Sequence, residues 1–256
     1  MILKYEIFEE KFVHYFKSYD IEYTGEIIKN FFGFYQRVIT ENEKYNLTSI
    51  TDIDEAIVKH FVDSVIVLKC FEIPYGAKII DIGTGAGFPG LPLYIMRNDL
   101  NITFLDSSAK KIKFIEDTVG LLEFETGGSL DFVCGRAEDI AKDKNFRGTY
   151  DFAVSRAVAK LNVLCELAAP LICKGGYYIA YKGKSAENEL TEAHNALKIL
   201  NLQVTELKKF EIINIKNEAE EIKQEENKRV LIKIKKIKET MPKYPRNFAK
   251  IIKNPL

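Results

Sequence analysis

The spacing of apolar and polar positions changes character near residue 76. Before it, Ile27, Ile28, Phe31, Phe32, Tyr35, Val38 and Ile39 recur at helical intervals and predict one amphipathic helix. Residues 56–71 carry a second helical period after a polar turn at 51–54, and Pro74-Tyr75-Gly76 punctuates the chain. Beyond it, short apolar runs alternate with helical stretches. AKIIDI (77–82), NITFLD (101–106), LDFVCG (130–135), YDFAVS (150–155) and GGYYIAYK (175–182) read as strands. PLYIMR (92–97) reads as helix, and Ile112, Ile115, Val119 and Leu122 mark another. Such alternation predicts a mostly parallel sheet covered on both faces. The end differs: VTELKKFEII (204–213) and KRVLIKIKKI (228–237) are separated only by the charged residues 216–227. In the second stretch Val230, Ile232 and Ile234 alternate with Leu231, Lys233 and Lys235, predicting a half-exposed strand in a C-terminal antiparallel hairpin. The expected architecture is α/β, with residues 1–75 a helical extension packed on an α/β core of residues 76–256.

With 256 residues, 46% hydrophobic and 29% charged, the composition is that of a soluble globular protein. No run of about 18 apolar residues predicts a membrane span, and MILKYEIFEEKF lacks the apolar region of a signal peptide, so a cytoplasmic location is expected. Cys70, Cys134, Cys165 and Cys173 form no CxxC pair and are expected to be buried reduced thiols. His14, His60 and His194 are too scattered to join them in a zinc site, so no metal is expected.

The strongest local signal is IIDIGTGAGFPGLPL, where a strand ends in Asp81 and Gly83, Gly85 and Gly87 follow at alternate positions before a helix. Glycines allow a tight turn and close approach of a ligand to the main chain. The dinucleotide fingerprint requires a third glycine where this chain has Phe88. The loop alone is also compatible with a structural turn in another α/β protein. The next strand ends in Asp106, an acid placed to accept from ribose hydroxyls in either NAD or S-adenosylmethionine folds. After the third strand, Arg136-Ala137-Glu138 offers a main-chain donor and a carboxylate for an adenine.

These residues resemble the RsmG, or GidB, family of bacterial 16S ribosomal RNA (guanine-N7) methyltransferases from about residue 42 onward. The resemblance is carried by YNLTSI (45–50), KHFVDS (59–64), DIGTGAGFPGLPL (81–93), LDSSAKKIKFI (105–115), RAED (136–139), SRA (155–157), YKG (181–183) and KYPR (243–246). It implies a class I, Rossmann-like S-adenosyl-L-methionine methyltransferase fold in residues 76–256 and a substrate within 16S rRNA of the small subunit or its assembly intermediate. It also implies that Gly83 and Phe88 are cofactor contacts, that Ala137 and Glu138 meet the adenine, and that Arg156 completes the set. Asp81 and Gly85 join this expected set through the loop, Asp81 orienting the cofactor amino group, and Asp106 through the ribose. One departure stands out: the segment after KYPR usually carries a glycine and a proline, and here it reads NFAKII.

The zero net charge conceals an asymmetry, because from residue 228 onward ten basic residues face one acid, Glu239. Lys110, Lys111 and Lys113 form a smaller group. Such clusters suit phosphate binding through counterion release, and Arg156, Lys182, Arg229, Lys243 and Arg246 are the expected RNA contacts. The competing reading is a solvated edge strand protected by lysine.

Guanine N7 has a free lone pair and no proton to remove. No general base is expected, so His60, Asp63 and Ser64 are read as a structural cap or as part of a base pocket, and not as an acid–base set. Other readings consistent with the residues are a class I methyltransferase for a small molecule or protein, and a non-catalytic RNA-binding module. An NAD oxidoreductase is disfavoured by Phe88.

Overall fold

A computed structural model describes residues 4–45, 47–124, 127–212 and 227–256; the charged segment before residue 227 and part of the expected strand end at 213 lie outside the described residues. Helix α1 (Tyr5–Ser18) buries Phe8, Phe12, Tyr15 and Phe16 along one stripe. Helix α2 (Gly25–Tyr45) buries Ile28, Phe31, Phe34, Tyr35 and Val38. The predicted stripe is therefore centred slightly off: Phe34 is in the core, whereas Ile27, Phe32 and Ile39 only flank it. These aromatic rings share one apolar cluster with Ile79, Phe104, Val154 and Ile179 of the sheet.

The helical period of residues 56–71 is present but broken. Helix α3 (Ile53–Ala56) starts at Asp52, whose side chain accepts from the Glu55 amide. A π-helical turn (Ile57–Val62) follows, then α4 (Asp63–Val65) and α5 (Val67–Cys70). A π-turn re-aims its carbonyls and side chains and is frequent at functional sites. Here the Lys59 and His60 carbonyls accept from Arg156, and the His60 carbonyl also accepts from Ser64.

The sheet strands are β1 (Lys78–Ile82), β2 (Asn101–Asp106), β3 (Leu130–Cys134), β4 (Tyr150–Arg156), β5 (Ile172–Lys182), β6 (Leu202–Glu211) and β7 (Lys228–Lys236). They are covered by α6 (Gly90–Met96), α7 (Ala109–Val119), α8 (Ala137–Ile140), α9 (Leu161–Ala168), α10 (Ala186–Glu192), α11 (His194–Ile199) and a C-terminal helix (Phe248–Lys253). Helix α7 stops at Gly120, short of the predicted Leu122, which packs against Gly33 of α2.

Strand order is β3-β2-β1-β4-β5-β7-β6, with β7 antiparallel to both neighbours. The carboxyl ends of β1 to β5 therefore share one edge, and the order reverses between β1 and β4, where open α/β sheets bind ligands. Because β7 runs backwards, Val230 pairs with Lys182, and Arg229 arrives at that same edge.

The competing reading of a lysine-protected edge strand is excluded by this order: β6 is the edge and β7 lies inside. Three of its lysines are engaged within the fold, Lys235 against the Tyr177 ring, while Lys228 stays exposed. Lys233 lies over the rings of Phe71 and Tyr177 and bonds Glu206, and the 1% exposed Lys236 donates to the Ile172 carbonyl. The expectation of four buried thiols is also corrected. Cys165 is buried, Cys70 and Cys173 are intermediate, and Cys134 is exposed because β3 is the opposite edge strand.

Candidate functional site

Two cavities open along the carboxyl edge of the sheet. The first, about 290 Å3, is built from the ends of β1, β2 and β3: Ile82 and Gly83, Leu105 and Asp106, then Gly135 to Glu138, with Leu167 and Phe248 beneath. The second, about 620 Å3, lies between the π-turn and the ends of β4, β5 and β7. Ala157 and Val158 line both.

The glycine loop is held by main-chain hydrogen bonds, to β2 and within itself. The amides of Gly83 and Thr84 donate to the Leu105 carbonyl, at 2.7 and 3.1 Å, and those of Gly87 and Phe88 donate to the Thr84 carbonyl. Gly83 sits at φ +71°, and a Cβ there would meet Val158 Cγ2 at 2.7 Å. Glycine is thus required both by conformation and by the close approach of the loop after β4.

Asp81 is fully buried behind the loop. Its Oδ2 accepts from Thr84 Oγ1 (2.7 Å) and the Gly90 amide (2.9 Å), while Oδ1 has no partner. Burial pushes its carboxyl up to about 6, against the pull of those two hydrogen bonds and Arg156. Asp106 does line the first cavity, but it is already engaged: Oδ2 accepts from the Gly85 amide and Oδ1 from the Ser108 amide. Ala137 and Glu138 open α8 and line the same cavity. Gly85, Asp81 and Phe88 line neither cavity. The Phe88 ring lies behind the loop, stacked on His60 at 4.6 Å and tilted on Phe34 at 5.0 Å.

Arg156 faces the second cavity, not the first. Its Nη1 donates to the carbonyls of Lys59 (3.1 Å) and His60 (3.3 Å) and to Asp63 Oδ2 (3.0 Å), and its guanidinium lies over Phe88 at 5.1 Å. Asp63 also pairs with Arg229 Nε at 3.6 Å. Burial raises the Asp63 carboxyl, partly opposed by the two arginines. Burial, with the nearby Arg156 charge, holds the His60 imidazole down to about 3, so it is neutral at physiological pH. Its Nε2 hydrogen-bonds Thr48 Oγ1 at 2.8 Å. Lys182 lines the cavity with its ammonium between Glu189 (2.7 Å) and the Ala159 carbonyl (2.7 Å).

The expected RNA contacts thus separate. Arg156, Lys182 and Arg229 meet at the second cavity. Lys243 and Arg246 line neither cavity. Lys243 lies over the Tyr244 ring, and Arg246 clasps the fully buried Glu166 of α9 through Nε (2.8 Å), Nη2 (2.6 Å) and its backbone amide (2.9 Å). Sequence reasoning did not nominate Lys59, Val158, Glu189, Leu167 or Phe248 as lining residues. Val158 was within reach, since it follows the SRA motif directly. Phe248 gave no local signal.

The fold resembles a Methanosarcina mazei S-adenosylmethionine-dependent methyltransferase (TM-score 0.51, 16% identity, 68% of this chain and 98% of that one). It also resembles a chain from the complex of the Haloferax volcanii Trm112 methyltransferase activator with a methyltransferase (TM-score 0.54, 16% identity, 80% and 98%). In sequence, the chain is 41% identical to ribosomal RNA small subunit methyltransferase G of Desulfitobacterium hafniense over 93% of its length and 92% of the relative's. It is 44% identical to the protein of that name from Clostridium botulinum, over 87% and 88%. The GidB family, described as rRNA small subunit methyltransferase G, matches residues 27–218. The strand order, the loop and these likenesses agree: the chain belongs to the GidB family of rRNA small subunit methyltransferases.

Proposed function

We propose that the protein transfers a methyl group from S-adenosyl-L-methionine to N7 of a guanosine in 16S rRNA, within the small ribosomal subunit or an assembly intermediate of it, in the cytoplasm. The observation that carries this reading is the pair of cavities sharing Ala157 and Val158 beside Gly83, where the strand order reverses. Two substrates held in adjoining pockets are what group transfer requires. The division of labour follows the chain: residues 76–256 form the first cavity, and the helical part before residue 76 contributes Lys59, His60 and Asp63 to the second.

The first cavity fits the cofactor on its own chemistry. Apolar walls from Ile82, Leu105, Ala137 and Leu167 surround the carboxylates of Asp106 and Glu138, suiting a nucleoside with an apolar base face and polar hydroxyls. Behind the loop, Asp81 keeps a buried oxygen without a partner; since Asp81 lines neither cavity, this acceptor would reach a cofactor ammonium through an intervening water. Gly83, Asp106, Ala137 and Glu138 would hold the cofactor, which when bound supplies an electrophilic methyl group on a sulfonium. We assign Gly85 and Phe88 to shaping the loop from behind.

The rest of the task belongs to the second cavity. The acceptor N7 carries no proton, so the chain needs to orient the base and exclude water without removing a proton. His60 suits this: an imidazole with its pKa near 3 is a poor proton acceptor and adds no positive charge beside a purine that is becoming cationic. Arg156, held by Asp63 and two π-turn carbonyls, fixes the wall against which the base rests. Arg229 and Lys59 place positive charge at the cavity for the backbone phosphates. In the same proposal Lys182 braces the cavity through Glu189, and Lys243 lends surface charge to RNA while Arg246 braces the tail.

The decisive experiment supplies labelled S-adenosylmethionine and the purified protein to small subunits from a strain lacking it. Label on N7 of a guanosine in 16S rRNA is the expected result. No incorporation, or label in another RNA, overturns the reading.

A further inference from the structure

We propose that Phe248 is an aromatic wall of the adenine end of the first cavity, a cofactor contact contributed by the C-terminal tail. The inference rests on the methyltransferase reading above and adds a residue from the segment whose sequence departs from the family pattern. Phe248 lines the cavity and remains only half-buried, with the Arg136 guanidinium 5.6 Å from its ring centroid. It packs against the cluster of Val163, Leu167 and Ile251, as Ala137 and Ala159 also do. Anchoring the helix to α9 does not require the ring at the cavity, because Ile251, fully buried, already fills that seam.

The tail is held firmly enough to present a ligand contact. Arg246 is fastened to Glu166, and Arg147 donates to the carbonyls of Thr240, Met241 and Tyr244. Asn247 caps the C-terminal helix by accepting from the Lys250 amide at 2.9 Å. Phe248 therefore enters from a segment tied down on both sides. It lines the same cavity and rests on the same apolar cluster as Ala137, the residue expected to meet adenine, with Arg136, the neighbour of Ala137, near its ring. A flat aromatic ring suits a purine by dispersion and quadrupole contact, while the Arg136 guanidinium near this ring disfavours a second cation, such as the cofactor's ammonium, beside it.

The test is calorimetry on the full chain with two probes, S-adenosylhomocysteine and 5′-methylthioadenosine, which share the adenosine and differ in the amino-acid end. Phe248→Leu keeps an apolar side chain against Leu167 and Ile251 but removes the ring; Phe248→Tyr keeps the ring. Phe248→Leu is expected to weaken both probes by about five- to tenfold, and Phe248→Tyr to restore both to within about twofold of the wild type. Wild-type affinity in Phe248→Leu overturns the inference while leaving the cofactor reading intact. So does a loss confined to S-adenosylhomocysteine, which would place Phe248 at the amino-acid end, or a loss that Phe248→Tyr shares. Failure of the wild type to bind either probe overturns the cofactor reading itself.

Discussion

Replacing Arg246 with Met removes two of the three donors that satisfy the Glu166 carboxylate. Glu166 has no exposed surface, and only the backbone amide of residue 246, at 2.9 Å, would remain as a donor. An exposed ion pair contributes about 0–1 kcal/mol, but losing one partner of a buried pair strands a charge and costs about 3–5 kcal/mol. Arg246 retains some exposure, so the lower end applies, about 3 kcal/mol. For a chain of this size that lowers the melting temperature by about 6–12 °C. Thermal melts at low ligand concentration measure it directly. Because the cost lies in the stranded charge, adding Glu166→Gln to Arg246→Met should recover about half of the loss, since the neutral amide still accepts from the residue 246 backbone. An Arg246→Met protein melting within about 2 °C of wild type would refute this account and return Arg246 to the class of surface cations free to bind RNA.

Gly83→Asp imposes a side chain at φ +71° and on Val158, so cofactor affinity should fall by at least about tenfold in calorimetry; unchanged affinity would remove Gly83 from the site. His60→Asn should leave single-turnover methyl transfer within about tenfold of wild type, and a loss of several orders would reveal a catalytic residue. His60 also predicts a stability slope. Its folded pKa of about 3 lies below the ordinary 6.5, so the stability it permits is present above 6.5 and is lost as pH falls toward 3. Between pH 7.5 and 5 the wild type should lose about 2 kcal/mol that His60→Asn does not, as read from urea midpoints. Asp81, pushed up to about 6, should make S-adenosylhomocysteine binding weaken as pH falls through 6, because only the ionised carboxylate attracts the ammonium across the loop or an intervening water. Asp81→Asn should bind weakly without that slope, and a persisting slope would assign the titration elsewhere.

The sequence by itself determined what depends on neighbours in the chain. The glycine loop was legible because a turn from β1 into α6 with φ of +71°, +62° and +98° at Gly83, Gly85 and Gly87 demands glycine wherever the chain goes next. Helix α2 was legible because burial of one face imposes a period, and the central strands because burial on both faces leaves short continuous apolar runs. That Asp106, Ala137 and Glu138 would come together at one cavity was legible because the ends of consecutive parallel strands reach the same edge.

Tertiary structure decided what depends on partners distant in sequence. The run of lysines after residue 228 reads as one basic face, yet insertion of β7 between β5 and β6 sends Arg229 to the ligand edge and buries Lys236 near the other. Arg246 meets Glu166 across 80 positions, Arg156 meets Lys59 across 97, and Phe248 reaches a cavity begun at Ile82. No local period records such a meeting. Whether an arginine faces solvent, a carboxylate or a ligand is set by the strand order and by which helix covers it, and these are fixed only when the whole core closes.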